Sequence, residues 1–119
     1  MNQLEDALVH YREAVRLAPN VPDYLNDLAW LLATSPARKD DNREEPIRLA
    51  EKACELSGGK EARFWGTLDA TYAAAGQFEQ AIETAKKARE LALAAGHADL
   101  AKAAEERMAF YQNHKPFRP

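Results

Sequence analysis

The chain has 119 residues, 46% hydrophobic and 29% charged, which is enough for one domain with a small core. Its net charge of −3 is spread along the sequence and not gathered into a basic patch, which argues against nucleic-acid and anionic-membrane surfaces. No apolar run approaches the roughly 20 residues that cross a bilayer, no basic-then-apolar signal opens the chain, and Cys54 alone allows no internal disulfide. The single thiol suits a cytoplasmic location. Alanine occurs 24 times and Val, Ile and Thr are scarce, so the propensities favour an all-α chain.

Residues 2–18 predict a helix with Leu4, Leu8, Tyr11, Val15 and Ala18 on one stripe, Ala7 and Ala14 beside it, and Glu5, Arg12, Glu13 and Arg16 opposite. Pro19 to Pro22 end it, with Asn20 as the expected cap of the next helix. That helix, Asp23 to Thr34, turns Leu25, Leu28, Ala29 and Leu32 inward. Ser35 to Glu45, SPARKDDNREE, reads as an exposed, mobile loop from its charge and its Pro, Asp and Asn content.

A third helix is expected from Glu44 or Glu45 to Ser57, since Pro46 fits a first helical turn and Ile47, Ala50, Ala53 and Leu56 continue an inward row. Gly58-Gly59 marks its left-handed stop. Helices follow at 61–75 and 78–95, punctuated by Gly76 and Gly96. The last helix, from Ala98 to Asn113, points Leu100, Ala104, Met108 and Tyr111 inward and Lys102, Glu105, Glu106 and Arg107 toward water. KPFRP, from Lys115, forms a tail whose Phe117 can fold back onto the helices.

The most informative stretch is Phe64 to Leu93, FWGTLDATYAAAGQFEQAIETAKKARELAL. Trp65, Leu68 and Tyr72 share one helical face, Gly76 breaks the helix, and the small Ala81 and Ala88 let a second helix approach. This series resembles the tetratricopeptide repeat, a helix pair with a period of roughly 34 residues. Ala7, Tyr11, Ala14 and Pro19 resemble the second half of such a repeat, and Leu25, Leu28, Ala29 and Leu32 resemble the first-helix row with Leu in place of aromatics. The sequence departs from the family at Asp69 and Pro46, where a small residue is usual.

The resemblance implies a right-handed superhelix of antiparallel helix pairs, with Trp65 buried between the two helices of its repeat and Tyr72 along the same seam. It divides residues 1–119 into a half repeat at 2–18, a repeat at 21–57 with an inserted loop at 35–45, a repeat at 61–95, a capping helix at 97–114 and a tail at 115–119. The phrases LAWLLATSP, AEKACELSGGK and LDATYAAAGQFEQAI resemble the terminal repeats of large bacterial proteins, which implies the C-terminal piece of a longer chain.

Catalytic chemistry finds no foothold in the residues. His10, His97 and His114 lie on separate elements, and none joins Cys54 at metal-ligand spacing. Asp40-Asp41, Glu44-Glu45 and Glu105-Glu106 are neighbours in sequence, so on a helix their side chains diverge and form no acid/base dyad. Gly58-Gly59 lacks the strand and the Gly-Lys of a phosphate loop. No enzyme activity, cofactor or metal is therefore expected.

In the tetratricopeptide family the first helix of each pair lines a concave groove that binds a peptide or a helix of a partner protein. Carried onto this chain, the resemblance places Asp23, Asn26, Asp27, Trp30 and Thr34, then Arg63, Gly66, Thr67, Ala70, Ala73 and Ala74, in that groove. Asp23 and Asp27 occupy it in place of the Lys, Asn and Arg with which some relatives grip acidic chain termini. The first expectation is thus a non-catalytic protein-interaction scaffold. The second is a structural module that self-associates as a dimer, or packs on a neighbouring domain, through Leu4, Ala7, Leu8 and Tyr11.

Overall fold

The computed structural model describes residues 3–35 and 42–118. Among them are six helices and no strand: α1 (Gln3–Leu17), α2 (Pro22–Thr34), α3 (Glu44–Leu56), α4 (Ala62–Ala74), α5 (Phe78–Ala94) and α6 (Ala98–Gln112). The expected loop at 35–45 falls mostly on residues 36–41, outside the described residues.

The helix ends follow local chemistry. Gly76 and Gly96 take φ of 80° and 78°, a region costly for any residue with a Cβ. This lets the amides of Gln77 and His97 turn back and donate to the Tyr72 and Ala92 carbonyls, at 2.9 and 2.8 Å. Asn20 does not cap α2: Val21 holds the N-cap position without a side-chain bond, and Pro22 begins the helix, its missing N–H being one that has no partner in a first turn. Asn42 does part of that work for α3, where its Oδ1 accepts the Glu45 amide at 3.1 Å.

Consecutive helices pack on one another, and α4 also touches α2 on one side and α6 on the other. The first members of the pairs α2–α3 and α4–α5 therefore lie side by side, with α6 next in line. Alanine makes this spacing possible. Ala29, Ala50, Ala53, Ala81, Ala85, Ala92 and Ala104 are fully enclosed, and a methyl at the contact lets two helix axes come close.

One core cluster joins Leu25, Ala29, Ala50, Ala53, Cys54, Phe64 and Leu68 across α2, α3 and α4. A second joins Ala73, Ala81, Ala85, Met108 and Tyr111 across α4, α5 and α6. Tyr72 packs against both. Burial pushes the Cys54 thiol up to about 11, with the Glu51 charge adding to it, so it stays protonated and inert.

Two inward assignments change. Trp65 is half-buried and packs on the first cluster, toward α3, not into the α4–α5 seam; its Nε1 donates to the Gly59 carbonyl at 2.9 Å. The ring that is enclosed at this point is its neighbour Phe64, at 4% exposure. Leu56, at the C-terminal end of α3, is exposed.

The expected stripe of α1 is partly covered. α1 packs on α2 alone, and none of its residues is buried; Leu4, Ala7, Leu8, Tyr11 and Val15 are all half-exposed. A bidentate bond from the Arg12 guanidinium to the Glu45 carboxylate, at 2.6 and 3.1 Å, ties α1 to α3 from the surface.

Candidate functional site

Where α2, α4 and α6 meet, the surface opens into a cleft of about 170 Å³ lined by Trp30, Ala62, Arg63, Gly66, Thr67, Ala88, Leu100 and Arg107. Helical spacing explains which side chains reach it: Arg63, Gly66 and Thr67 are three and four apart on α4, so they share one face. Trp30 reaches across from α2 as a half-buried indole, off the buried row of Leu25, Leu28, Ala29 and Leu32.

Of the residues expected in the groove, Trp30, Arg63, Gly66 and Thr67 come together here. Asp23 joins them through an ion pair with Arg63 at 3.4 Å; Arg63 also reaches Glu61 at 3.4 Å and lies 5.2 Å over the Phe64 ring. Asp27 is exposed, and desolvation followed by the nearby Asp23 charge raises its carboxyl above the usual range, while Arg63 and Asn26 pull it down. Asn26 Oδ1 is enclosed without a donor among the described residues.

The hydroxyls of Thr34 and Thr67 donate to their own helices, at the Trp30 and Arg63 carbonyls. Ala70 and Ala73 lie inside, at 3% and 2% exposure, and Ala74 is half-exposed. Leu4, Ala7, Leu8 and Tyr11 are on α1, whose packing on α2 alone keeps them apart from this cleft.

The floor of the cleft is a buried polar cluster. Asp69, fully enclosed, accepts two bonds from the Arg107 guanidinium at 2.9 and 3.1 Å and one from the Tyr111 hydroxyl. Arg107 is thus turned into the protein, with only 11% of its side chain exposed, and not toward water with Lys102, Glu105 and Glu106 as expected. Gly66 makes room for it: a Cβ at that position would lie 2.7 Å from Nη2 of Arg107.

Burial pushes the Asp69 carboxyl up to about 6, outweighing Arg107 and Tyr111, which stabilise its charge. It also pushes the Tyr111 phenol far up, so the hydroxyl remains a donor. A carboxylate can stand at this enclosed position because Arg107 and Tyr111 of α6 bond to it.

Sequence reasoning missed Ala62, Ala88, Leu100 and Arg107 in the cleft. A signal for Arg107 existed: a carboxylate in an apolar row requires a cation, and Arg107 precedes the inward Met108. Among the described residues no three His, Cys, Asp or Glu side chains gather as metal ligands, and no helix is long and apolar enough to cross a membrane. Compared with protein-family models, curated proteins and solved structures, the chain matches none of them.

Proposed function

We propose that this chain is a non-catalytic protein-interaction module, a tetratricopeptide-like superhelix of helix pairs closed by α6, that binds a peptide or helix of a partner protein in the α2–α4–α6 cleft. The observation that carries the reading is Trp30. An indole set half-buried at the edge of a small cleft, opposite Ala62 and Gly66, offers a large apolar face with room beside it. Such rings supply a large share of binding energy in protein interfaces.

The test is selection of peptides from a random display library on the immobilised chain, followed by titration against Trp30→Ala. Selected peptides should lose at least about tenfold in affinity, which is about 1.4 kcal/mol, while the helical circular dichroism stays unchanged. Peptides that bind Trp30→Ala equally well, or loss of the fold in that variant, would remove the anchor.

A second reading is favoured by α1. It packs on α2 alone, Leu17 and Tyr24 are 69% and 41% exposed at an open pocket of about 370 Å³, and Val9 is 57% exposed on the same helix as Leu17. Burying apolar surface of this kind contributes about 25 cal/mol per Å², so α1 is the part of the surface with most to gain from a second copy or a neighbouring domain. The expected result is a dimer in light scattering at near-millimolar concentration, weakened by Leu8→Glu. A monomer throughout the range would exclude this reading.

A further inference from the structure

Trp30, at the edge of the cleft, already has a neighbour from the chain's own tail. After α6 ends, Asn113 and His114 reverse the backbone, His114 in the left-handed region at φ 54°, and the Lys115 amide donates to the Phe110 carbonyl at 3.0 Å. The His114 ring stacks on Phe78 with centroids 5.3 Å apart and planes 14° from parallel. This turn sends the tail back over the molecule. Phe117 meets Phe110 edge-on at 5.5 Å and Trp30 at 6.0 Å, and it packs on the cluster of Ala73, Met108 and Tyr111.

No direct packing joins α2 to α6, so the Phe117 ring bridges the two across α4. A short extended segment with an aromatic side chain is thus seated beside Trp30. Its flanks matter as well. Pro116 precedes Phe117, and Lys115 and Arg118 carry positive charge on either side of it. The α2 edge of the cleft carries Asp23 and Asp27, one helical turn apart, with Arg63 paired to Asp23. Desolvation, and then the Asp23 charge, raises the Asp27 carboxyl above its ordinary range, although Arg63 pulls it down.

We infer that this face is built for a basic aromatic peptide, an exposed Phe, Tyr or Trp flanked by Lys or Arg, and that the segment Lys115–Arg118 is its built-in competitor. The inference rests on the peptide-binding reading and adds both the chemistry of the partner and a means of regulation. A partner must displace Phe117, so the apparent affinity is the intrinsic affinity reduced by the fraction of chains whose tail is undocked.

The experiment is a fluorescence-anisotropy titration with a labelled synthetic peptide, NHKPFRP. It is run against the full chain, Phe117→Ala, and Phe117→Ala combined with Trp30→Ala, each checked by circular dichroism. With the tail docked about nine-tenths of the time, Phe117→Ala should bind the probe about tenfold more tightly than the unaltered chain. Phe110→Ala, which removes a ring that holds Phe117 and would hold the probe's Phe alike, should give no such gain. The double variant should lose the gain, and a probe with Ala in place of its Phe should bind none of them.

Equal binding to the unaltered chain and Phe117→Ala would overturn the competitor. A probe that binds neither, while library-selected peptides still bind in a Trp30-dependent way, would overturn the basic aromatic chemistry and leave the peptide-binding reading standing. Failure of the probe and of every selected peptide would overturn both.

Discussion

Asp69→Ala should lower the unfolding free energy by about 3 to 5 kcal/mol, a large part of what a small domain possesses. The carboxylate is fully enclosed and its removal leaves the Arg107 guanidinium charged, 11% exposed and without its bidentate partner. The phenol of Tyr111 loses its acceptor as well. Arg107→Met in the same chain should recover much of the loss, because an apolar pair of similar volume avoids the desolvation of both ions. Urea unfolding of the two single variants and the double variant measures this, and a single-variant loss below about 1 kcal/mol would show that the pair is solvated.

The same carboxyl gives a pH dependence whose sign can be worked out. Its folded value is about 6, above the roughly 3.9 of an unfolded aspartate, so the folded state holds this proton more tightly. The contribution of Asp69 is fully present below about pH 4, declines as the pH rises to about 6 and is level beyond it. That slope should be absent from Asp69→Ala.

Phe64→Ala should cost about 3 to 5 kcal/mol through lost burial and the cavity left among Leu25, Ala53 and Leu68. Alanine neighbours hold the helix backbones in close contact and have no side-chain length with which to fill the hole, so the site should relax little. Trp65→Ala should cost less, since that ring is half-buried and its indole N–H bonds to the Gly59 carbonyl at the edge of the core. Thermal or denaturant unfolding of both variants ranks them, and a larger loss at Trp65 would contradict the packing seen here.

The comparison of these two neighbours marks where the sequence was legible. Punctuation was easy to read: α2 begins at Pro22, α3, α4 and α5 end two residues before Gly58, Gly76 and Gly96, and α5 and α6 begin two residues after Gly76 and Gly96. Inward rows on α2 and α6 could be read too, because Leu25, Leu28, Leu32, Met108 and Tyr111 follow a 3.6-residue period. Phe64 and Trp65 defeat that method. Both rings are apolar and adjacent, so periodicity cannot tell which faces α3 and which the outside of the α3–α4 junction. The repeat resemblance pointed to the Trp.

The site was legible by the same measure. Helix spacing puts Arg63, Gly66 and Thr67 on one face of α4, while it was the repeat resemblance that set Trp30 in the same groove. Arg107 was hidden because its partner lies 38 residues away in sequence, on a helix whose polar flank looks uniform. The return of the tail through Phe117 depends on a left-handed turn at His114, a conformation without any glycine signal.

The order in which the helices touch also bears on how the chain finds its structure. Each helix packs only on those one or two places away along the chain, so no contact requires the two ends to meet first. Closing short loops costs little entropy, and local topologies of this kind fold in roughly microseconds to milliseconds. α4 and α5, joined by a tight turn at Gly76 and flush with alanine, form the natural nucleus, onto which α6 and then α2 with α3 can condense. α1, held by its packing on α2 and the surface bond from Arg12 to Glu45, would join last and leave first. During synthesis α1 would therefore gain its lasting place only after α2, and the helices that hold α2, had emerged.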